Sequence, residues 1–363
     1  MKNSMKKIWI SLFTVLLGLH VANAKPKKPK YKKPKKVIFL IGDGMGLAQI
    51  TGAMADNTAI NAFERFPIIG LSKTKSSDNF VTDSGAGATV FSIGKKSYNG
   101  AIGVDSTGKE YDGLFEMLKD KGWGTGVVVT SSITHATPAA FYAHVGSRKS
   151  EDEIAEFLIR NHCDIAIGGG IKYFKDRKDK RDLLEELKEK GYTTIVDSSE
   201  IKSVEAKKLI YLLANDGMKK ESEGRGDYLK KATEIAINNL SRNEEGYFLM
   251  VEGSQIDWGG HANDFQYMKS ELLDFNQTLN AVLDYAAKDG NTLVVVTADH
   301  ETGGLSLIEN KENKSTFKVN YSTGGHSGIM VPVFAYGPGA ELFSGIYENT
   351  EIHYKFKKLL NIK

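Results

Sequence analysis

The sequence predicts a layered α/β domain, a large and mostly parallel central sheet with helices on both faces. Three observations predict it. Short, continuous, β-branched apolar runs recur along the chain, as in parallel strands buried from both sides. Segments with helical periodicity separate them. No internal repeat or linker interrupts residues 37–363, so one domain accounts for them.

In chain order the strand-like runs are "KVIFLIG" from Lys36, "GTGVVVTS" from Gly124, "CDIAIGGG" from Cys163, "KLIYLLA" from Lys208, "GYFLMVEG" from Gly246, "NTLVVVTAD" from Asn291 and "VPVFAYGPG" from Val331. Helical spacing of apolar residues marks "EDEIAEFLIRN" (151–161), "DKRDLLEELKEKG" (179–191), "DYLKKATEIAINNL" (227–240), "KSELLDFNQTLNAVLDYAAKDG" (269–290) and "TEIHYKFKKLLN" (350–361). Between them, "VTDSGAGATVFSIGKKS" (81–97) reads as a strand ending in Asp83 and Ser84, followed by small residues that wind into a helix.

The ends differ from the body. Residues 1–24 combine Lys2, Lys6 and Lys7, the apolar "IWISLFTVLLGL" and the A-x-A site Ala22-Asn23-Ala24, the three parts of a secretory signal peptide. No later stretch approaches the roughly 20 apolar residues of a transmembrane helix. The mature chain is therefore expected to be exported, periplasmic or secreted, without a transmembrane segment. Residues 25–36, "KPKKPKYKKPKK", form a basic tail that three prolines keep extended. Residues 1–36 hold eleven lysines and no acid, so a chain of net charge +3 has a body of net charge −8. An acidic body, with one aromatic in the tail, argues against a specific nucleic-acid partner. The lone Cys163 cannot form an internal disulfide and reads as a buried strand residue.

Ser84 raises the question of what activates it. Thr82 stands where a nucleophile elbow of the G-x-S-x-G kind needs glycine, and no P-loop fits Gly85, Gly87 or Gly94. "IGDGMG" imitates a dinucleotide-binding turn, but Gly42, Gly44 and Gly46 are evenly spaced and Asp43 would repel a pyrophosphate. A carboxylate there suits a cation.

The carboxyl ends of the strands, where open α/β sheets build their sites, carry metal-ligand chemistry. Asp43 follows the first strand. His135 and Thr137 follow the second, Glu252 closes "YFLMVE", and Asp299 and His300 close "TLVVVTADH". "EGSQIDWGGH" sets Asp257 and His261 four residues apart, on one face of a helical turn, and "STGGHSG" presents His326 between glycines. Imidazole and carboxylate suit Zn²⁺, and carboxylates, a hydroxyl and water suit Mg²⁺. A non-catalytic metal- or phosphate-binding protein would use the same ligands but has no need of Ser84.

Together "IGDGMG", "VTDSGAGAT", "YNGAIGVD", "THATPAAFYAHVGSR", "VEGSQIDWGGH", "TADHETGG" and "STGGHSG", spread from about Lys36 to Pro338, resemble the ordered motifs of the alkaline phosphatases. The resemblance implies a phosphate monoester hydrolase of broad substrate range and alkaline optimum; a phosphodiesterase or phosphomutase with the same metal cage is the alternative. It implies Ser84 as the nucleophile that becomes phosphoserine and Arg148 as the phosphate clamp. Two Zn²⁺ and one Mg²⁺ are implied: one zinc on Asp257, His261 and His326, the second on Asp43, Ser84, Asp299 and His300, and Mg²⁺ on Asp43, Thr137 and Glu252. A homodimer is implied as well. His135 and Trp258 stand beside the third metal and the phosphate, where members vary, and the segment from His300 to His326 is short, which implies a compact enzyme with an open pocket. Four prolines against nearly all of 37 glycines in residues 37–363 leave the unfolded chain little restricted and point to a heat-labile, cold-adapted enzyme.

Overall fold

The main sheet is built around β1 (Lys36–Gly42), whose side chains alternate between two covered faces. Ile38 and Leu40 enter a core with Leu229 and Ala232 of helix Tyr228–Leu240 and Leu272, Leu279 and Val282 of helix Phe265–Asp289. Phe39 points the other way. Its ring meets Phe91 and Phe356, from helices Ser84–Ile93 and Thr350–Leu360, with centroids 5.4 and 5.2 Å away, and also Phe141 and Phe248. Burying one such aromatic contributes about 2–3 kcal/mol, so the alternation along one strand fixes helices on both faces.

The computed structural model describes residues 31–57, 59–197 and 201–362; the expected signal peptide and residues 25–30 of the basic tail lie outside them. Lys33–Lys363 forms one unit. Beyond β1, the strands in chain order are β2 (Ile68–Lys73), β3 (Gly124–Ser132), β4 (Ile165–Gly169), β5 (Thr193–Val196), β6 (Leu209–Leu212), β7 (Tyr247–Gly253) and β8 (Thr292–Thr297). After them come β9 (Glu301–Thr302), β10 (Leu305–Glu309), β11 (Phe317–Tyr321), β12 (His326–Ser327), β13 (Val331–Tyr336) and β14 (Gly345–Glu348). Among the described residues ten strands form the main sheet, in the order β14-β2-β13-β8-β1-β7-β3-β4-β6-β5. Among the described residues no helix is long and apolar enough to cross a membrane.

Every pairing in that sheet is parallel except those of β13, which runs against both β8 and β2. The run "VPVFAYGPG" was expected to be parallel like the others. Its reversal follows from residues 298–330, which contain no crossover helix: β9 and β12 pair with each other, β10 and β11 form a hairpin, and the chain returns beside the strand it left.

"VTD" is not a strand. The backbone there pairs with side chains: the Asn99 side-chain amide donates to Val81 O at 3.0 Å and Asn99 Oδ1 accepts from Asp83 N at 3.2 Å, while Thr82 O takes the ring N–H of His326. The predicted helices are present, the fourth lengthened to Phe265–Asp289. The strands the sequence did not show are short or half-exposed, such as β14 and β2, where Ile346 is 61% and Ile69 57% exposed. Cys163 is fully buried just ahead of β4.

Candidate active site

Parallel strands deliver their carboxyl ends to one rim. β1 brings Asp43, β7 brings Glu252, β8 brings Asp299 and His300, and after β3 come His135 and, in the short helix Ala136–Ala139, Thr137. Helix Gln255–His261 places Asp257 and His261 one turn apart, and β12, paired to β9, sets His326 against them. Ser84 opens helix Ser84–Ile93, which is small-residued for a reason: a Cβ at Gly87 would lie 2.9 Å from Asp299 Cβ, so only glycine lets the helix approach the metal-ligand rim.

Three imidazoles share one orientation. His261 Nδ1 lies 2.7 Å from Gly324 O and His326 Nδ1 lies 2.8 Å from Thr82 O. A carbonyl only accepts, so each Nδ1 carries the proton. His300 Nδ1 lies 3.2 Å from the Thr302 hydroxyl, whose own proton goes to Asp257 Oδ1, so His300 also donates from Nδ1. In all three rings the lone pair is therefore on Nε2, the arrangement by which metal-ligating histidines are held. His326 Nε2 and His261 Nε2 face each other at 3.1 Å, both 3.4–3.6 Å from Asp257 oxygens. Two lone pairs at that separation repel unless a cation lies between them. His300 Nε2 stands 3.4 Å from Asp43 and 3.3 Å from Asp299, and its ring stacks on His326 with centroids 3.5 Å apart, so the two groups adjoin.

The carboxylates carry the same signature. Asp43, Glu252 and Asp299 are fully buried, and both oxygens of Asp43, Oε1 of Glu252 and Oδ2 of Asp299 have no hydrogen-bond partner. Burial, then the charges of Asp299, Asp257 and Glu252, drive the Asp43 carboxyl well above its usual range, and burial pushes Glu252 up to about 7. Burial holds His300 neutral, well below its ordinary value. Like-charged groups this close stay ionised only if cations compensate them, so the donor set fits divalent metal. The ligand atoms of Asp257, His261 and His326, of Asp43, Asp299 and His300, and of Asp43, His135 and Glu252 converge in three groups. Thr137, buried beside Glu252, keeps an unpartnered hydroxyl oxygen for the third.

A pH dependence follows. A carboxyl whose folded pKa is raised leaves stability full below its unfolded value, about 4.5 for Glu252, and removes it as pH rises through about 7. The melting temperature of metal-stripped protein should therefore fall relative to the metal-loaded form between those values. Parallel melting curves of the two forms across this range would contradict the assignment.

Ser84 is 2% exposed, and its hydroxyl donates to His300 Nε2 at 3.3 Å. Arg148 reaches the same place from the loop after the "THATPAA" turn. One nitrogen donates to Asp83 Oδ2 at 2.9 Å and the other to His135 Nε2 at 3.1 Å. Asp83 also caps the Ser84 helix by accepting from Ala86 N. Burial works to raise the Asp83 carboxyl, but the Ala86 N–H and the Arg148 charge outweigh it and hold it low. The start of the Ser84 helix and the guanidinium are thus tied together through one aspartate. Trp258 lies against His135, rings edge-on with centroids 6.3 Å apart.

Sequence reading missed Asp83 as the support of Arg148, Thr302 as the link between Asp257 and His300, and Ser254, which donates to Glu252 at 2.7 Å. All three stand within or beside the quoted motifs, yet nothing in their spacing distinguishes a support from a neighbour. His135 joins the third group more closely than a neighbour would, yet Nε2 accepts from Arg148, so the proton of the neutral ring sits on buried Nδ1. Burial, then Arg148, lowers its pKa to about 3.

A family model described as "Alkaline phosphatase" matches residues 34–315 and 306–362. Alkaline phosphatase 3 of Bacillus subtilis (strain 168) is 36% identical over 427 aligned positions, covering 93% of this chain and 92% of its own. The solved alkaline phosphatase of the Antarctic bacterium TAB5 is 45% identical with a TM-score of 0.89, covering 92% of this chain and all of that one. A histidine-to-aspartate variant of the TAB5 enzyme, with Mg bound in its M3 site, superposes with a TM-score of 0.87 at 44% identity, over 92% of this chain and 100% of that one.

Proposed function

The chain belongs to the alkaline phosphatase family and is a metal-binding phosphate monoester hydrolase, and we propose that it works through a covalent phosphoserine at Ser84 with two Zn²⁺ and one Mg²⁺ bound. The observation that carries this reading is the convergence of three Nε2 lone pairs and the buried carboxylates beside a helix-opening serine.

Asp257, His261 and His326 would hold one zinc, Asp43, Asp299 and His300 the other, and Asp43, Thr137 and Glu252 the magnesium. Bound there, the cations supply the positive charge that makes a serine hydroxyl nucleophilic, offsets charge on the departing oxygen and activates water. Arg148, oriented by Asp83, presents two guanidinium nitrogens to the non-bridging phosphate oxygens. The N-terminus of helix Ser84–Ile93 adds attraction for the same charge. Ser84 Oγ gives up its proton as it bonds to phosphorus and the ester oxygen leaves, that proton ending on the departing alcohol; water then takes the phosphoryl group and one of its protons returns to Ser84. Nothing among these residues reads the alcohol part, which supports a broad range of monoesters. Residues 1–24 support export, and the family resemblance supports a homodimer. Elemental analysis of reconstituted enzyme tests the metal reading: two zinc and one magnesium per chain are expected, and full activity at a lower zinc content would refute it.

His135 tunes the third position. With its proton on Nδ1 and its Nε2 taken by Arg148, it offers a cation no lone pair and no charge, whereas an aspartate offers both. His135→Asp is expected to strengthen Mg²⁺ binding and make activity depend more steeply on added Mg²⁺. The magnesium-bound histidine-to-aspartate variant of the TAB5 enzyme supports this. Superimposable Mg²⁺ activation curves for zinc-loaded wild type and variant would remove His135 from the site.

A further inference from the structure

Glu301 follows His300 but belongs to none of the three metal-ligating groups. It is 3% exposed, and four neutral donors converge on its carboxylate. Gln49 Nε2 donates to Oε1 at 2.6 Å, Leu305 N to Oε1 at 3.0 Å, Gly304 N to Oε2 at 3.2 Å, and the Ser327 hydroxyl to Oε2. Gly46 makes room for it, since a Cβ there would fall 2.5 Å from Glu301 Cγ. The rim is therefore shaped around this carboxylate.

These donors come from the segments that carry the metal ligands. Gln49 lies in helix Leu47–Asp56, which follows the Asp43 turn, and it also donates to Thr302 O at 2.8 Å. Gly304 and Leu305 lie just beyond Asp299 and His300. Ser327 adjoins His326. The β9–β12 ladder that places His326 consists of two residue pairs, His326 with Thr302 and Ser327 with Glu301, flanked by Gly324, Gly325 and Gly328. So short a ladder is marginal by itself. A buried acceptor shared with the Asp43 side of the rim supplies the missing constraint.

We propose that Glu301 is a positioning residue for the metal site of His326: by accepting from Ser327 and Gln49 together, it fixes His326 Nε2 against Asp257 and His261. The proposal rests on the zinc reading above. A group that orients a ligand typically changes metal affinity by about 10–100-fold when lost.

The test is a zinc competition titration against a chelator on full-length wild type, Glu301→Gln, Ser327→Ala and His326→Ala, with melting of each metal-stripped form. His326→Ala identifies which bound zinc uses His326. Glu301→Gln and Ser327→Ala are expected to weaken that same zinc by about 10–100-fold and leave the other unchanged, with saturating zinc restoring kcat at an unchanged KM. Wild-type affinity for both zincs in the two variants, with only a lower melting temperature, overturns the proposal. If Glu301→Gln does not fold, Ser327→Ala, which removes one hydrogen bond, decides alone. Unaltered zinc binding by His326→Ala overturns the metal reading itself, and the proposal with it.

Discussion

Ser84→Ala is expected to lower turnover of a phosphate monoester by roughly ten-thousandfold or more, leaving a residual rate from direct attack of water at an otherwise intact site. The size follows from the geometry. Ser84 is 2% exposed at the head of its helix, with its hydroxyl on His300 and with Arg148 bonded to the preceding Asp83. The variant should keep its metals and melt as wild type does, because Thr302 still holds the His300 ring through Nδ1. Steady-state kinetics with p-nitrophenyl phosphate, beside elemental analysis and a melting curve, check all three. A near-normal rate in a metal-loaded variant would eliminate Ser84 as the nucleophile.

Stripping divalent metal should abolish activity and also destabilise the fold. Asp43, Glu252 and Asp299 are buried with unpartnered oxygens, and two imidazole lone pairs face each other at 3.1 Å, so removing the cations leaves repulsion at the meeting point of β1, β7, β8 and β12. Linkage gives the scale: each site with free metal at 100 times its Kd contributes about 2.7 kcal/mol. A melting temperature lower by several degrees is expected after chelation, recovered with activity on adding zinc and magnesium. Full activity after exhaustive chelation, with metal loss confirmed, would contradict the account.

The sequence made the sheet legible because its strands are buried from both sides. "KVIFLIG", "GYFLMVEG" and "NTLVVVTAD" are continuous apolar runs for that reason, and they became neighbouring strands β7-β1-β8. It did not reveal the direction of β13, which depends on the absence of a helix across residues 298–330 rather than on anything in "VPVFAY". "VTD" has the composition of a strand, but its hydrogen bonds go to Asn99 and His326, distant in sequence. At the site, residues with chemistry of their own stood out: His and Asp at strand ends, and a serine beside an aspartate. Supporting residues did not. Thr302 is one threonine among many until its hydroxyl is seen between Asp257 and His300, and Glu301 reads as a surface acid until four donors are found around it.

The most direct test of the central claim, that buried metals at this rim make Ser84 the covalent nucleophile, is to trap the intermediate. Metal-loaded enzyme turning over a phosphate monoester is quenched in acid, digested and mapped by mass spectrometry, with metal-stripped enzyme treated in parallel. The account predicts a phosphoryl group on Ser84 in the loaded enzyme and none in the stripped one. Turnover by the loaded enzyme with Ser84 unmodified under conditions that preserve phosphoserine, or with the phosphoryl group on another residue, would contradict it.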